Sequence, residues 1–424
     1  MRLPWYRERI AILDRLNKSK SVEPYNVQSG ETNWFGRMLY GPEQIYYVLS
    51  YRITARPSDE QLAEMRLLNE TERGWSIDVK YPINDDDLRR IVISQRIHGL
   101  GLEKPQLTRA GWSLLYPIKF NWLSIQNADF DDDDLCRFDG LEHVERLELR
   151  DTKVTGTGLP GDLSTFHFEL VFDGSPITDE GLQKLSKTEF SRLSLARTNV
   201  TGIGFANFMA VSEIGGINLS GSAVTDEGLR GINHLKIVEL NLSQTRITGV
   251  SLKEHQHLKL LNEMDLSHTD LTDEGMAFLE KAFGLGKLNL SGCKISGAGL
   301  QHIYANRGLY NRLDLKLDDM TLTDDDLDGL KKVTEISSIS LVGTNITGVG
   351  FRHFTEDCQI GSIDMTGTKL NEAGLREIAR LKNLKCLVVD PKLVPVAQKI
   401  FAEEMQSATV TTQDAIKPPP VPPW

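Results

Sequence analysis

The sequence predicts an α/β solenoid, a stack of short strand–turn–helix units with parallel strands along one side and short helices along the other. Three observations carry this expectation. Apolar anchors recur at a fixed spacing, apolar and polar residues alternate just before each anchor, and the apolar residues that follow fall at helical spacing.

The anchors are Leu102, Ile125, Leu149, Phe172, Leu195, Leu219, Leu242, Leu266, Leu290, Leu317, Leu341, Met365 and Val389, with steps of 23 or 24 residues and one of 27. Across twelve units an apolar residue stands five positions after the anchor (Val200, Val224, Ile247) and another ten after it (Phe205, Leu229, Leu252). The alternation before the anchor reads as a short half-buried strand. Pairs such as Leu182/Leu185 and Leu229/Ile232 are spaced i, i+3, as on one face of a helix. One such unit cannot bury its own apolar face, whereas stacked units share a continuous core.

The shared unit, LxLxxTxITDEGLxxL, resembles the leucine-rich repeat family over roughly residues 75–390. Where that family carries Asn, three residues after the anchor, this chain mostly has Thr or Ser, as at Thr152, Ser175, Thr198, Ser222, Thr245 and Thr269. A short polar side chain there can bond the backbone of the turn as Asn would. The TDEGL variant is similar to bacterial leucine-rich repeat proteins abundant in planctomycetes, which often carry an N-terminal membrane anchor. The resemblance implies a horseshoe with a parallel concave sheet and short convex helices, acting as a non-catalytic scaffold that binds another macromolecule.

A second, longer period is superimposed. Acidic turns (NDDDL at 84–88, DDDDL at 131–135, TDEGL at 178–182 and 225–229, TDEGM at 272–276, TDDDL at 323–327, NEAGL at 371–375) alternate with glycine turns such as TGTGL at 155–159 and TGVGF at 347–351. This points to growth by duplication of a pair of units. The acidic turns fall where helices begin, with Thr178, Thr225, Thr272 and Thr323 as N-caps and carboxylates in the first turn. A calcium role is disfavoured. Coils stack about 4.8 Å apart, so acidic turns two coils apart are separated by roughly 10 Å, too far to share a cation.

Composition removes other classes. Lys and Arg number 48 against 59 Asp and Glu, a net charge of −11, and no basic stripe interrupts it, so nucleic acid is not an expected partner. Cys136, Cys293, Cys358 and Cys386 form no CxxC pair, which argues against zinc and a disulfide framework. The GxG pairs lack the rest of a nucleotide fingerprint, and no GxSxG elbow or HExxH motif occurs. His255 and His257 read as exposed turn residues. No catalytic constellation, cofactor site or metal site is expected. Without an apolar run of about 18 residues no membrane span is encoded, and the start MRLPWYRERIAIL is too charged for a signal peptide. The expected location is cytoplasmic, the alternative being the soluble part of a membrane-anchored protein.

The ends need covers. Residues 1–74 are expected to form an N-terminal cap, with a helix around Trp5, Ile10, Leu13 and Leu16 and a second apolar cluster at Trp34, Phe35, Met38 and Leu39. The solenoid then runs over 75–390 and a C-terminal cap over 391–406. Residues 407–424 form a disordered tail ending KPPPVPPW, whose Lys417, Pro420 and Pro423 match a ligand pattern for an SH3-type groove.

Binding is expected at the middle of the concave face, on positions flanking the anchors: Glu239, Asn241, Ser243, Glu263, Asp265, Ser267, Lys287, Asn289 and Ser291. They are polar, mildly acidic and free of aromatic residues, which points either to a modest, transient contact, with a basic protein as the partner, or to a solvated face. The alternatives are a structural or envelope-associated module, and an adaptor whose activity lies in residues 1–74.

Overall fold

The computed structural model describes residues 4–31, 44–68, 75–92, 97–161, 167–208, 213–303, 313–404 and 407–415. The chain divides into two compact units, Met1–Thr198 and Asn199–Trp424.

The first unit opens with the expected helix, Pro4–Asn17, which buries Ile12 and Leu16. A hairpin follows, Val22–Glu31 pairing antiparallel with Gln44–Ile53. The second hairpin strand then becomes the first rung of a parallel ladder, with Tyr51 opposite Ile77 and Ile53 opposite Val79. The ladder therefore begins before residue 75, because Tyr51 and Ile53 supply the two inward residues that every later coil supplies. The apolar cluster at Trp34, Phe35, Met38 and Leu39 lies outside the described residues. Strands Trp75–Val79, Ile97–Glu103, Trp122–Gln126, Arg146–Arg150, His167–Val171 and Phe190–Ser194 follow in parallel. Their inward residues Ile77, Leu100, Leu123, Leu147, Leu170 and Leu193 form a dry row.

In the second unit Glu213–Asn218, Lys236–Asn241, Glu263–Asp265, Lys287–Asn289, Leu313–Lys316, Glu335–Ser340, Gln359–Asp364 and Cys386–Val388 pair in parallel. Ile217, Leu240, Met264, Leu288, Leu315, Ile339, Ile363 and Leu387 make the corresponding row, each at most 2% exposed. The terminal helix, Val394–Glu403, buries Ala397, Ile400 and Phe401. One more strand, Thr409–Thr411, pairs with Cys386–Val388. The ladder thus enters the stretch expected to be a disordered tail: Thr-Val-Thr favours extended backbone and Val410 is buried. The proline-rich residues from 416 lie outside the described residues.

All thirteen anchors are buried, none more than 1% exposed. Observed pairings such as Leu240 with Met264 and Leu288 with Leu315 repeat the anchor steps of 24 and 27 residues. Two residues after the anchor the backbone turns left-handed in coil after coil, at Lys104, Asn127, Asp151, Arg197, Gln244, His268 and Asp319 as well as at five glycines. The turn aims the amide along the stack: Gln244 N–H donates to Ser267 O and His268 N–H to Ser291 O, both at 2.8 Å. One position further on, the hydroxyl of Thr198, Thr245, Thr269 or Thr344 donates back to the anchor carbonyl at 2.6–2.7 Å. That is the turn-closing bond expected of a short polar residue in place of Asn.

Candidate interaction surface

The acidic turns hold the densest runs of carboxylates in the sequence. Thr178 and Thr225 cap their helices, accepting from Gly181 N–H at 3.2 Å and Gly228 N–H at 3.1 Å. Thr272 accepts from Gly275 N–H at 3.0 Å. At Thr323 the arrangement differs: its own N–H and hydroxyl donate to the Asp326 carboxylate at 2.9 and 2.8 Å. Asp326 also accepts from Gly297 N–H in the preceding coil at 2.8 Å. Burial alone would raise the Asp326 carboxyl, but the amides of Thr323 and Gly297 outweigh it and hold it below the usual range.

The second residue of the acidic turn has a role the sequence did not reveal: it closes the glycine turn of the next coil. Asp132 accepts from Thr155 N–H (2.8 Å), Thr155 Oγ1 (2.7 Å), Gly156 N–H (3.1 Å) and Gly158 N–H (2.8 Å). Asp226 does the same at Thr248 and Gly249, Asp273 at Ser296, Asp324 at Thr347 and Gly350, and Asp85 at Thr108. The glycine turn answers in the other direction, Thr201 O accepting from Thr225 N–H and Thr248 O from Thr272 N–H, both at 3.2 Å. A methyl group on Gly228 or Gly275 would run into those carbonyl oxygens, which explains the glycine of TDEGL. Acidic and glycine coils are thus two halves of one hydrogen-bonded unit, and these carboxylates are engaged by N–H and O–H donors.

The sheet face of the second unit holds the residues singled out from sequence. Glu239, Glu263, Lys287 and Asp314 follow one another across neighbouring strands, as do Asn241, Asp265, Asn289 and Lys316. All eight are half-buried or exposed. Charges there run to four carboxylates against two lysines, 2 − 4 = −2. Lys287 pairs with Glu263, and that bond raises the lysine above its ordinary pKa. Asn289 Nδ2 donates to Asp265 Oδ2 at 3.1 Å.

Ser243, Ser267 and Ser291 are corrections. They are buried, because each strand ends one residue before the anchor and the chain has begun to turn inward. Their amides are tied to the preceding polar side chain: Ser243 to Asn241 Oδ1 (2.9 Å), Ser267 to Asp265 Oδ1 (2.9 Å) and Ser291 to Asn289 Oδ1 (3.1 Å). Asn241, Asp265 and Asn289 therefore shape the strand ends as well as facing outward.

The first unit carries a different sheet face, outside the residues expected from sequence. Trp122 lies against the neighbouring strand, where a Cβ at Gly99 or Gly101 would sit 2.9 Å from its ring. Directly opposite on the other side is Arg146. Its Nε lies 2.6 Å from Glu148 and 2.9 Å from Glu169, while Arg150 meets Asp173 at 2.5 Å. Ser124 Oγ donates to Glu148 at 3.1 Å. A signal was present in the alternating charges of RLELR at 146–150, but it lay away from the middle of the array.

His255 is a further correction: it is buried, not exposed. Its Nδ1 accepts the His257 N–H at 3.1 Å, and its Nε2 is buried without a hydrogen-bond partner. Burial, reinforced by His257 and His234, lowers its pKa to about 4. The 3-10 turn Leu252–Glu254 and the following bend carry this side chain inward.

Among the described residues no helix is long and apolar enough to cross a membrane. Residues 257–279 and 285–303 match the family model described as leucine-rich repeat. No curated protein matches the sequence. A solved structure with a similar fold is an internalin from Listeria monocytogenes, with a TM-score of 0.46 and 16% identity over 72% of this chain and 88% of that one. The matched segments are coils of the same register that the anchors define, and the fold is a leucine-rich repeat solenoid.

Proposed function

We propose that the protein is a non-catalytic interaction scaffold whose concave sheet face in the second unit receives a basic segment of a protein partner. One observation carries this reading: four carboxylates and only two lysines face outward over adjacent strands from Glu239 to Lys316. Glu263 is already held by Lys287 and Asp265 by Asn289, so part of the side-chain ordering is in place before association. Acidic residues at such a face accelerate encounter with a basic partner and make the on-rate fall with added salt.

The test changes charge without disturbing the turns. Asp265 holds the Ser267 amide, so the suitable substitution there is Asp265→Asn, combined with Glu239→Lys and Glu263→Lys. A folded triple variant should lose most partner recovery and most of the salt dependence of association. Undiminished recovery would move the binding site off this face.

A further inference from the structure

We propose that the sheet face of the first unit is a second docking surface, suited to an acidic peptide segment of a partner protein, with Trp122 and Arg146 at its centre. The charges there are layered. The carboxylates lie underneath: the side chains of Glu148 and Glu169 are 7% and 14% exposed, while that of Arg146 is 42% exposed although its Nε is buried against them. The same order holds on the strand Gln44–Ile53, where Arg52 is 47% exposed over an Asp78 that is 13% exposed. An approaching chain therefore meets guanidinium groups first, with the carboxylates beneath them.

Guanidinium groups held in this way match carboxylates, by paired N–H···O bonds that a lysine cannot reproduce. Trp122 beside Arg146 supplies the indole-plus-arginine combination in which interfaces concentrate their energy. The four carboxylates beneath (Asp78, Glu148, Glu169 and Asp173) more than offset the three guanidinium charges of Arg52, Arg146 and Arg150, so the face has no positive long-range field with which to hold a polyanion. Discrete carboxylates are favoured over a phosphate backbone, whose binding depends on an uncompensated basic surface. The inference rests on the reading that the sheet faces are recognition surfaces, but it assigns the opposite partner charge to a different set of coils.

Fluorescence anisotropy on the full chain at low salt tests it with three labelled probes: a Glu-rich peptide containing leucine, a Lys-rich peptide of equal length, and a single-stranded oligonucleotide. The Glu-rich peptide should bind, and Arg146→Gln should weaken it about tenfold, with Glu263→Gln leaving it unchanged. Glu263→Gln should weaken only the Lys-rich peptide, so each reading can fail alone. Melting curves report folding; if Arg146→Gln does not fold, Arg52→Gln, whose parent side chain lies 3.9 Å from Asp78, takes its place. The proposal is overturned if the Glu-rich peptide does not bind, if a folded arginine variant binds it equally well, or if the oligonucleotide binds more tightly.

Discussion

The carboxylate of Asp226 closes the turn of the coil that follows it: one oxygen accepts the Thr248 N–H at 2.8 Å and the Thr248 hydroxyl at 2.9 Å, and the other accepts the Gly249 N–H at 3.0 Å. Thr225, one residue earlier, makes a single capping bond within its own turn. Asp226→Ala should therefore cost more than Thr225→Ala, about 2 kcal/mol against about 1 kcal/mol. Urea unfolding of the two variants measures this, and the reverse order would count against coupling between coils. Calcium or a chelator should leave the melting temperature of the parent protein unchanged.

Gly228 sits in a helical turn, where intrinsic propensity alone would make Gly228→Ala stabilising by about 1 kcal/mol. The Thr201 carbonyl of the preceding coil occupies the space that the methyl group needs. Because the obstacle is backbone, relief requires the coils to separate. Thermal melting should show Gly228→Ala to be less stable than the parent; a higher melting temperature would mean that the coils are not packed this closely.

Gln244 provides the opposite case. Its φ is +58°, a conformation that costs a residue with a side chain about 1 kcal/mol relative to glycine. The preceding coil has Gly221 at the same position, φ +62°. Gln244→Gly should stabilise the protein by roughly that amount in urea unfolding, although it removes a side chain; a loss of stability would show that the Gln244 side chain matters more than its backbone.

These contrasts show what was legible in the sequence. Anchors such as Leu242 and Leu266 were readable because burial selects residue type directly, and the Thr225 cap was readable because donor and acceptor lie three residues apart. Asp226 was read as part of a helix start. Its link to Thr248 was hidden because it joins residues 22 apart and depends on which atoms of one coil overlie the next. Ser243 was misplaced for a related reason: alternation extrapolates a strand past its end, and only the fold shows where the chain turns inward. At Arg146 the type and alternation were visible, but not the depth of Glu148 beneath it.

His255 illustrates the remainder, since nothing in its polar neighbourhood indicates burial. Its folded pKa of about 4 lies below the ordinary 6.5, so the folded state favours the neutral ring. Stability is then highest above pH 6.5, and falls as pH drops toward 4, where the unfolded chain takes up the proton and the folded chain does not. The full loss is about 3 kcal/mol. Urea unfolding at pH 7 and pH 4.5 should show His255→Phe losing less stability than the parent over that interval; equal losses would place the acid sensitivity elsewhere.

The central claim, that partners meet the strand side of the solenoid, is tested most directly by lysine-reactive crosslinking in the native cell, read by mass spectrometry. In the second unit Lys236, Lys287 and Lys316 lie on the sheet strands, whereas Lys253, Lys281 and Lys331 lie in or beside the helical turns. Crosslinks to a partner should concentrate on the first three; a partner map dominated by Lys253, Lys281 and Lys331 would contradict the claim.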